Sequence, residues 1–453
     1  MLDSNKTNIE YVLDQTRKHD VKFIRLWFND ILGNLKGFAI NSEELPNALT
    51  RGMNFDGSTI QGFTRNNETD MYAVPDPSTF AILPWRPKTN AVARIFCNIL
   101  TPDGNFFEGD PRNILIRNIK KASKLGYTYY VAPELEYFYF HNSLEAQPLD
   151  QGTYFDQISN DTTTNLRRET VLTLEEMGIP VEASHHEVAP GQHEINLRHT
   201  DALTMADNIL TCKAAIKEIA AMNGYYATFM PKPIKDLNGS GMHIHQSLFQ
   251  NDKNAFFANN NDYLSKTARH FIAGLLEHAP EITSVTNQWI NSYKRLVPAI
   301  SNETLGYEAP THVSWAKVNK SDLIRIPDYK KGRETSRRIE YRSPDPACNP
   351  YLTFSVLLAS GLSGITNKSK LPPPNNIHPV ESYKSGEQSK NLKPLPKSLS
   401  EAINLTKKSS LVKETLGNHA FSYFIQNKEF EYLSLIHISE PTRRTPISYA
   451  VFW

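Results

Sequence analysis

Three short segments set chemically active side chains two residues apart. APELEYFYF (132–140) carries Glu134 and Glu136, MHIHQSL (242–248) carries His243, His245 and Ser247, and RRIEYRS (337–343) carries Arg338, Glu340 and Arg342. Residues i and i+2 of a strand share a face, so each segment, if extended, sends these groups one way and Leu135, Tyr137, Ile244, Ile339 and Tyr341 the other. Glu187 and Glu194 flank a turn containing Pro190-Gly191. Taken singly, Glu-x-Glu reads as a solvated strand face, His-x-His as a polar one and Arg-x-Glu-x-Arg as a cross-strand ion-pair ladder. Their apolar surroundings argue for one shared site instead. Five carboxylates gathered on a sheet face repel one another and raise their pKa values. Divalent cations resolve that conflict, and several carboxylates with one imidazole suit Mg²⁺ or Mn²⁺ better than zinc. NGSGMH (238–243) is a Gly-rich turn through which backbone N–H groups can approach a ligand. Arg295, Arg325, Arg338 and Arg342 can clamp phosphate or carboxylate. Metals, several arginines and no activated nucleophile point to phosphoryl transfer by positioning and charge neutralisation. There is no GxxxxGK[ST] and no GxGxxG, so a nucleotide would be held by metal and arginine.

These segments need elements to position them. Ile9, Val12, Leu13 and Thr16 predict a helix over 8–19, followed by strands at VKFIRLWF (21–28), LKGFAI (35–40) and VARIFCNIL (92–100). They form a small α+β unit, residues 1–105. Asp110-Pro111 opens a helix that runs to Gly126, with Pro at its start and Gly past its end. Strands at 127–140, on both sides of 187–194, at 242–248 and at 337–343 then interleave with helices at 162–177, 201–223, 261–278, 349–364 and 399–416. The prolines of 371–397 mark an irregular stretch. Residues 106–434 read as one large domain carrying a sheet.

Composition excludes several classes. Lys+Arg is 49 and Asp+Glu 48, a net charge of +1, which gives no global attraction for nucleic acid or an anionic membrane. No apolar run approaches the ~18 residues of a spanning helix, and the charged start MLDSNKTNIEYVLDQTRKHD does not read as a signal peptide. Three cysteines, Cys97, Cys212 and Cys348, are odd in number and far apart; the expectation is a reducing cytoplasm, without disulfides or a Cys-based zinc site.

The order of motifs resembles type I glutamine synthetase. The matches are NFDGSTIQGF (54–63), APELEYFYF, SHHEVAPGQHEINL (184–197), NGSGMHIHQSL (238–248), NSYKRLVP (291–298), GYEAP (306–310), LIRIP (323–327) and RRIEYRSPDPACNPYL (337–352). The resemblance implies an α+β fold: a β-grasp-like N-terminal domain and a large catalytic domain whose curved antiparallel sheet is flanked by helices. It implies ATP-dependent ligation of ammonia to L-glutamate through γ-glutamyl phosphate, with two Mg²⁺ or Mn²⁺ ions per site. One ion would be held by Glu136, Glu187 and Glu194, the other by Glu134, His243 and Glu340. Asp56, supplied by the neighbouring subunit, would take the proton from ammonium, and Glu308 would sit on a flap that shuts out water. Asn238, Gly239, Arg295 and Arg342 would bind glutamate; Glu182, His245, Ser247, Arg325 and Arg338 would line the ATP site; Tyr154 would lie beside the ammonium pocket. Arg65 stands where one subclass has an arginine linked to feedback by glutamine. The assembly implied is a hexameric ring, paired into a dodecamer in the family.

Three departures qualify this. AISNETL (299–305) lengthens the flap. Lys320 replaces a substrate-touching arginine, keeping the charge and losing the fork. LIHISEPTRRTPISYAVFW (435–453), with Pro441 and Pro446, stands where the family has a ring-locking helix; it resembles translated adapter DNA and is read as a non-native tail. Two other functions remain open: a relative joining glutamate to an amine or polyamine, as NQWINSYKRL and CNPYL resemble such branches, and an inactive structural or regulatory homologue.

Overall fold

A computed structural model describes residues 2–63, 70–157, 162–296, 309–317, 320–375 and 392–438. The N-terminal unit begins with helix α1 (Leu2–Lys18). This helix starts well before position 8, because residues 3–7 are polar and periodicity cannot register a helical turn without an apolar stripe. Six strands follow: β1 (Val21–Asn29), β2 (Leu35–Asn41), β3 (Met53–Asp56), β4 (Asp70–Pro75), β5 (Ala81–Ile82) and β6 (Ala91–Leu100), with α2 (Leu45–Arg51) between β2 and β3. Their order is β2-β1-β6-β4-β3, with β5 on β6. The β1–β6 pair is parallel and the other pairs are antiparallel. Ile24, Leu26, Phe28, Ile95 and Ile99 pack with Val12 of α1 into a core of their own.

The second sheet has ten strands: β7 (Thr128–Phe140), β8 (Val181–His186), β9 (Gln192–Leu197), β10 (Thr200–Asp201), β11 (Tyr226–Thr228), β12 (Met242–Gln250), β13 (Lys253–Asn254), β14 (Trp315–Ala316), β15 (Ile324–Arg325) and β16 (Ile339–Tyr341). The path runs β14-β15-β16-β12-β7-β9-β8, and only β14–β15 pairs in parallel. Helices α3 (Pro111–Lys124), α4 (Thr162–Glu176), α5 (Ala202–Met222), α6 (Lys266–Thr286), α7 (Ile290–Arg295), α8 (Pro350–Asn367), α9 (Leu399–Thr406), α10 (Ser410–Leu416) and α11 (Asn418–Ile438) accompany it. Leu135, Tyr137, Ile244 and Leu248 join apolar side chains of α5, α6 and α8 in one continuous core. That burial commits the alternate residues of β7 and β12 to the opposite face. The fold is α+β, as expected.

Several boundaries differ from the pattern reading. Helix α6 runs to Thr286, through Pro280, where the pattern ended it at 278. The stretch read as one helix over 399–416 is two, each with its own serine cap: Ser398 accepts from the Glu401 amide and Ser409 from the Val412 amide. Helix α11 extends through Ile438, four residues into the segment read as a non-native tail; a helix already packed propagates at little cost beyond its last apolar contact.

The two sheets are joined by a buried arginine. Arg112, at the start of α3, donates to Asp207 of α5 at 3.2 and 3.0 Å, to Asp76 at 2.9 Å and to Asn98 of β6 at 2.6 Å. Asn349 caps α8 through the Tyr351 and Leu352 amides and donates its own amide to the Asp30 and Ile31 carbonyls.

Candidate active site

Strand register builds the site. Glu194 of β9 pairs with His185 of β8 on one side and Glu136 of β7 on the other. Glu134 of β7 pairs with His243 of β12, and His245 of β12 pairs with Glu340 of β16, whose other neighbour is Arg325 of β15. A belt of charged groups thus crosses six strands on the face away from the core.

Two triads stand out in the belt. The ligand atoms of Glu134, His243 and Glu340 lie within 4.8 Å of one another, and so do those of His185, Glu187 and Glu194. His243 Nε2 lies 3.9 Å from Glu136 Oε1, a carboxylate that belongs to neither triad but stands opposite Glu194 in the strand register. Glu136 accepts from the Gly241 amide at 2.9 Å and from Gln192 Nε2 at 3.0 Å. Gly241 lets the Arg295 guanidinium come close: a Cβ there would lie 2.4 Å from it and push it aside.

The electrostatics favour a cation. Burial, and then the Glu134, Glu136 and Glu187 carboxylates, push Glu194 well above the usual carboxylate range. Burial opposes ionisation of Glu134 too, but hydrogen bonds from His243 at 3.0 Å and His245 at 2.8 Å hold it well below that range. Burial of Glu340 is likewise outweighed, chiefly by the Arg342 guanidinium, and its pKa falls to about 2. Burial and Arg342 bring His243 down to about 4, leaving the neutral imidazole that a metal requires. Oxygen-rich donor sets that each include one imidazole, one set holding a carboxyl that resists ionisation, fit hard divalent cations.

Beside this belt lies a cavity of about 400 Å³ lined by Glu134, Glu182, His245, Ser247, Arg333 and Arg338, among others. Arg338 Nε donates to His245 Nδ1 at 3.2 Å, so His245 carries its proton on Nε2, toward Glu134. Arg325 Nε donates to Glu340 at 2.6 Å, and Arg342 pairs with the other oxygen of the same carboxylate. Arg295 donates to the Ser343 carbonyl at 2.8 Å. The Gly239 carbonyl accepts from Gln192 Nε2 at 3.1 Å, and half-buried Asn238 precedes it. Lys320 Nζ sits 5.9 Å from the centre of the Tyr154 ring, which stacks on Phe155 beside His185. Asp56 ends the edge strand of the other sheet, exposed, accepting from the Ser58 amide at 2.8 Å. Glu308, Arg65 and the 299–305 stretch lie outside the described residues.

Family models match this chain twice, as "Glutamine synthetase, beta-Grasp domain" over residues 20–102 and as "Glutamine synthetase, catalytic domain" over residues 108–444. The chain belongs to the glutamine synthetase family. Glutamine synthetase of Methanosarcina mazei is 48% identical over 445 residues, covering 96% of this chain and 97% of its own length. Glutamine synthetase of Mycobacterium tuberculosis H37Rv is 46% identical over 447 residues, covering 97% and 99%. Among solved structures, GmaS in an ADP complex superposes with a TM-score of 0.85 at 28% identity, over 95% of this chain and 97% of that one; ligand-free GmaS gives 0.84. Membership makes the chain an enzyme, an ATP-dependent glutamate–ammonia ligase of a family that works with divalent metal ions. No helix among its described residues is long and apolar enough to cross a membrane.

Pattern reading of this glutamine synthetase site passed over four residues: His185, Gln192, Gly241 and Asp150. His185 stands two before Glu187, a spacing that signals a shared side. Gln192 and Gly241 act through hydrogen bonds to Glu136, which leave no periodic trace. Asp150 meets His186 and His193 only through tertiary folding.

Proposed function

We propose that the ligation runs in two steps on this belt. A γ-carboxylate oxygen of glutamate attacks the γ-phosphorus of ATP, the bond to the β–γ bridging oxygen breaks, and γ-glutamyl phosphate and ADP result. Ammonia then attacks the γ-carbonyl carbon and phosphate leaves. Two divalent cations, Mg²⁺ or Mn²⁺, would be held by Glu136, Glu187 and Glu194 and by Glu134, His243 and Glu340; they would neutralise phosphate charge as the γ-phosphoryl group moves. Glu182, His245, Ser247, Arg325 and Arg338 hold ATP. Asn238, Gly239, Arg295, Arg342 and Lys320 hold glutamate. Asp56 removes a proton from ammonium beside Tyr154, and Glu308 closes the site, since water would hydrolyse the acyl phosphate. Arg65 is read as a feedback position.

The observation that carries this reading is the pair of acidic triads on one sheet face, with Glu134 of one triad lining the same cavity as His245 and Arg338. Asp56 lies on an exposed edge in another sheet, which supports its delivery to a neighbouring copy and hence a hexameric ring. Free buried Cys97, Cys212 and Cys348 accord with a reducing cytoplasm. The test is phosphate release with ammonium, ethylamine or putrescine as acceptor, in wild type and Asp56→Ala. Ammonium is expected to be preferred and the variant to lose ammonium-dependent turnover far more than ATP affinity. Preference for an amine would move the chain to the other branch, and no release with any acceptor would favour an inactive homologue.

A further inference from the structure

Behind the front triad lies a second polar cluster. Strand pairing sets His186 of β8 directly opposite His193 of β9, one residue along from Glu187 and Glu194 respectively. Alternation turns His193 away from Glu194. The side chain of Asp150 is 6% exposed and engages both histidines. Its Oδ1 accepts from His186 Nε2 at 2.7 Å, from the Gly191 amide at 2.8 Å and from the Gly152 amide at 3.0 Å, while Oδ2 accepts from His193 Nε2 at 3.1 Å. His186 Nδ1 donates to the Glu187 carbonyl at 2.6 Å. One carboxylate therefore grips both strands and the turn between them. The approach is so close that a Cβ on Gly152 would lie 2.5 Å from His186 Nε2.

The three ligand-type groups could suggest another metal site, but their hydrogen bonding argues otherwise. Arg167 Nη1, which can only donate, lies 2.7 Å from His193 Nδ1. That contact uses the His193 lone pair and places a fixed positive charge against the cluster. Both His186 nitrogens are engaged as well. Every group has its partner without a cation.

We propose that Asp150 is a positioning residue for the Glu136–Glu187–Glu194 metal centre. It sets from behind the separation of β9, which carries Glu194, from the end of β8, which Glu187 directly follows. Through the same turn it places Gln192, whose amide donates to Glu136, the third member of that set. Glu187 and Gln192 are also tied directly, by the Glu187 amide donating to the Gln192 carbonyl at 2.8 Å. The Glu134–His243–Glu340 set lies on other strand pairs and does not depend on this clamp. This inference rests on the assignment of the two metal sets made under Proposed function.

The test is Mn²⁺ titration of the metal-stripped full-length protein, counting free ion by electron paramagnetic resonance, with calorimetric unfolding alongside. Wild type is expected to bind two Mn²⁺ per chain. Asp150→Asn puts an N–H where a donor must be accepted. It is expected to weaken one class of sites by about 10- to 100-fold, the usual effect of losing an outer-sphere partner, and to leave the other unchanged. Should Asp150→Asn fail to fold, His186→Gln, which keeps a donor for Asp150 and loses the bond to the Glu187 carbonyl, is expected to give the same selective weakening. Unchanged binding, or equal weakening of both classes, overturns the role of Asp150. Glu187→Gln separates the two failures: it should remove the class that Asp150→Asn weakens, and if both classes survive it, the ligand assignment itself is wrong.

Discussion

At the scale of single residues, the belt is defined by who shares each carboxylate. Glu340 is fully buried and takes hydrogen bonds from Arg325 and Arg342, whereas Glu134 takes them from two imidazoles. Removing Glu340 leaves two guanidiniums without their carboxylate, removing Glu134 leaves two imidazole N–H groups without an acceptor, and either change strips a proposed ligand from the Glu134–His243–Glu340 set. Glu134→Ala and Glu340→Ala are each expected to lower turnover by about 100- to 1,000-fold or more, the scale of losing a preorganised electrostatic group. Steady-state assay at millimolar Mg²⁺ checks this; near-normal rates in either variant would contradict the assignment. His193 gives a pH signature. Burial brings its pKa from 6.5 down to about 4, so between those values the unfolded chain binds the proton more tightly. Stability tied to His193 is therefore complete above pH 6.5 and lost as the pH falls toward 4, by about 3 kcal/mol for a shift of this size. Urea unfolding from pH 7 to 4 should show this loss, and His193→Gln should flatten the slope by about one proton. A slope identical in the variant would mean that His193 titrates normally.

At the scale of elements, helix caps divide into ordinary and bridging ones. Asp201 caps α5 through the Leu203 and Thr204 amides and otherwise accepts only a long 3.5 Å bond from the neighbouring Thr200 hydroxyl among the described contacts. Asn349 caps α8 and also serves two carbonyls of the N-terminal unit. Asp201→Ala is expected to cost about 1 kcal/mol, the common value for a lost cap. Asn349→Ala should cost about 2 kcal/mol or more, because buried Asp30 and Ile31 carbonyls lose a donor. Asn349→Asp should cost at least as much as Asn349→Ala, because it keeps the cap but sets a buried carboxylate oxygen against the two carbonyls. Denaturant midpoints rank the three, and equal losses for Asp201→Ala and Asn349→Ala would show that the bridge contributes nothing.

At the scale of the whole molecule, the separation of Asp56 from the belt bears on assembly. A ring in which each N-terminal unit faces its neighbour's catalytic sheet would complete the site by closed symmetry. We expect the purified chain to form hexamers, or dodecamers that dissociate on dilution, since residues 435–453 depart from the ring-pairing helix of the family. Mass photometry at nanomolar concentration distinguishes these. An active monomer would overturn the shared site. A stable dodecamer, unchanged on deletion of 435–453, would show that ring pairing needs no such helix.

By itself the sequence determined which face each active strand shows. The two-residue period of Glu134/Glu136, His243/His245 and Arg338/Glu340/Arg342 is local, and one apolar face per strand leaves no second choice. It also carried the motif order on which family membership rests. Only the tertiary structure decided which strands meet: that Glu194 pairs with Glu136 and Glu134 with His243, that Arg325 and Arg342 share Glu340, and that Asp150 reaches two histidines some forty residues on. Those pairings depend on long-range register and turn geometry, which a single chain's periodicity does not encode. The missed start of α1 and the overlooked α11 have a related cause. The polar first turn of α1 gives periodicity nothing to register, and in α11 the apolar Ala420, Phe421, Phe424 and Ile425 show which side is buried only once the helix packs on the core.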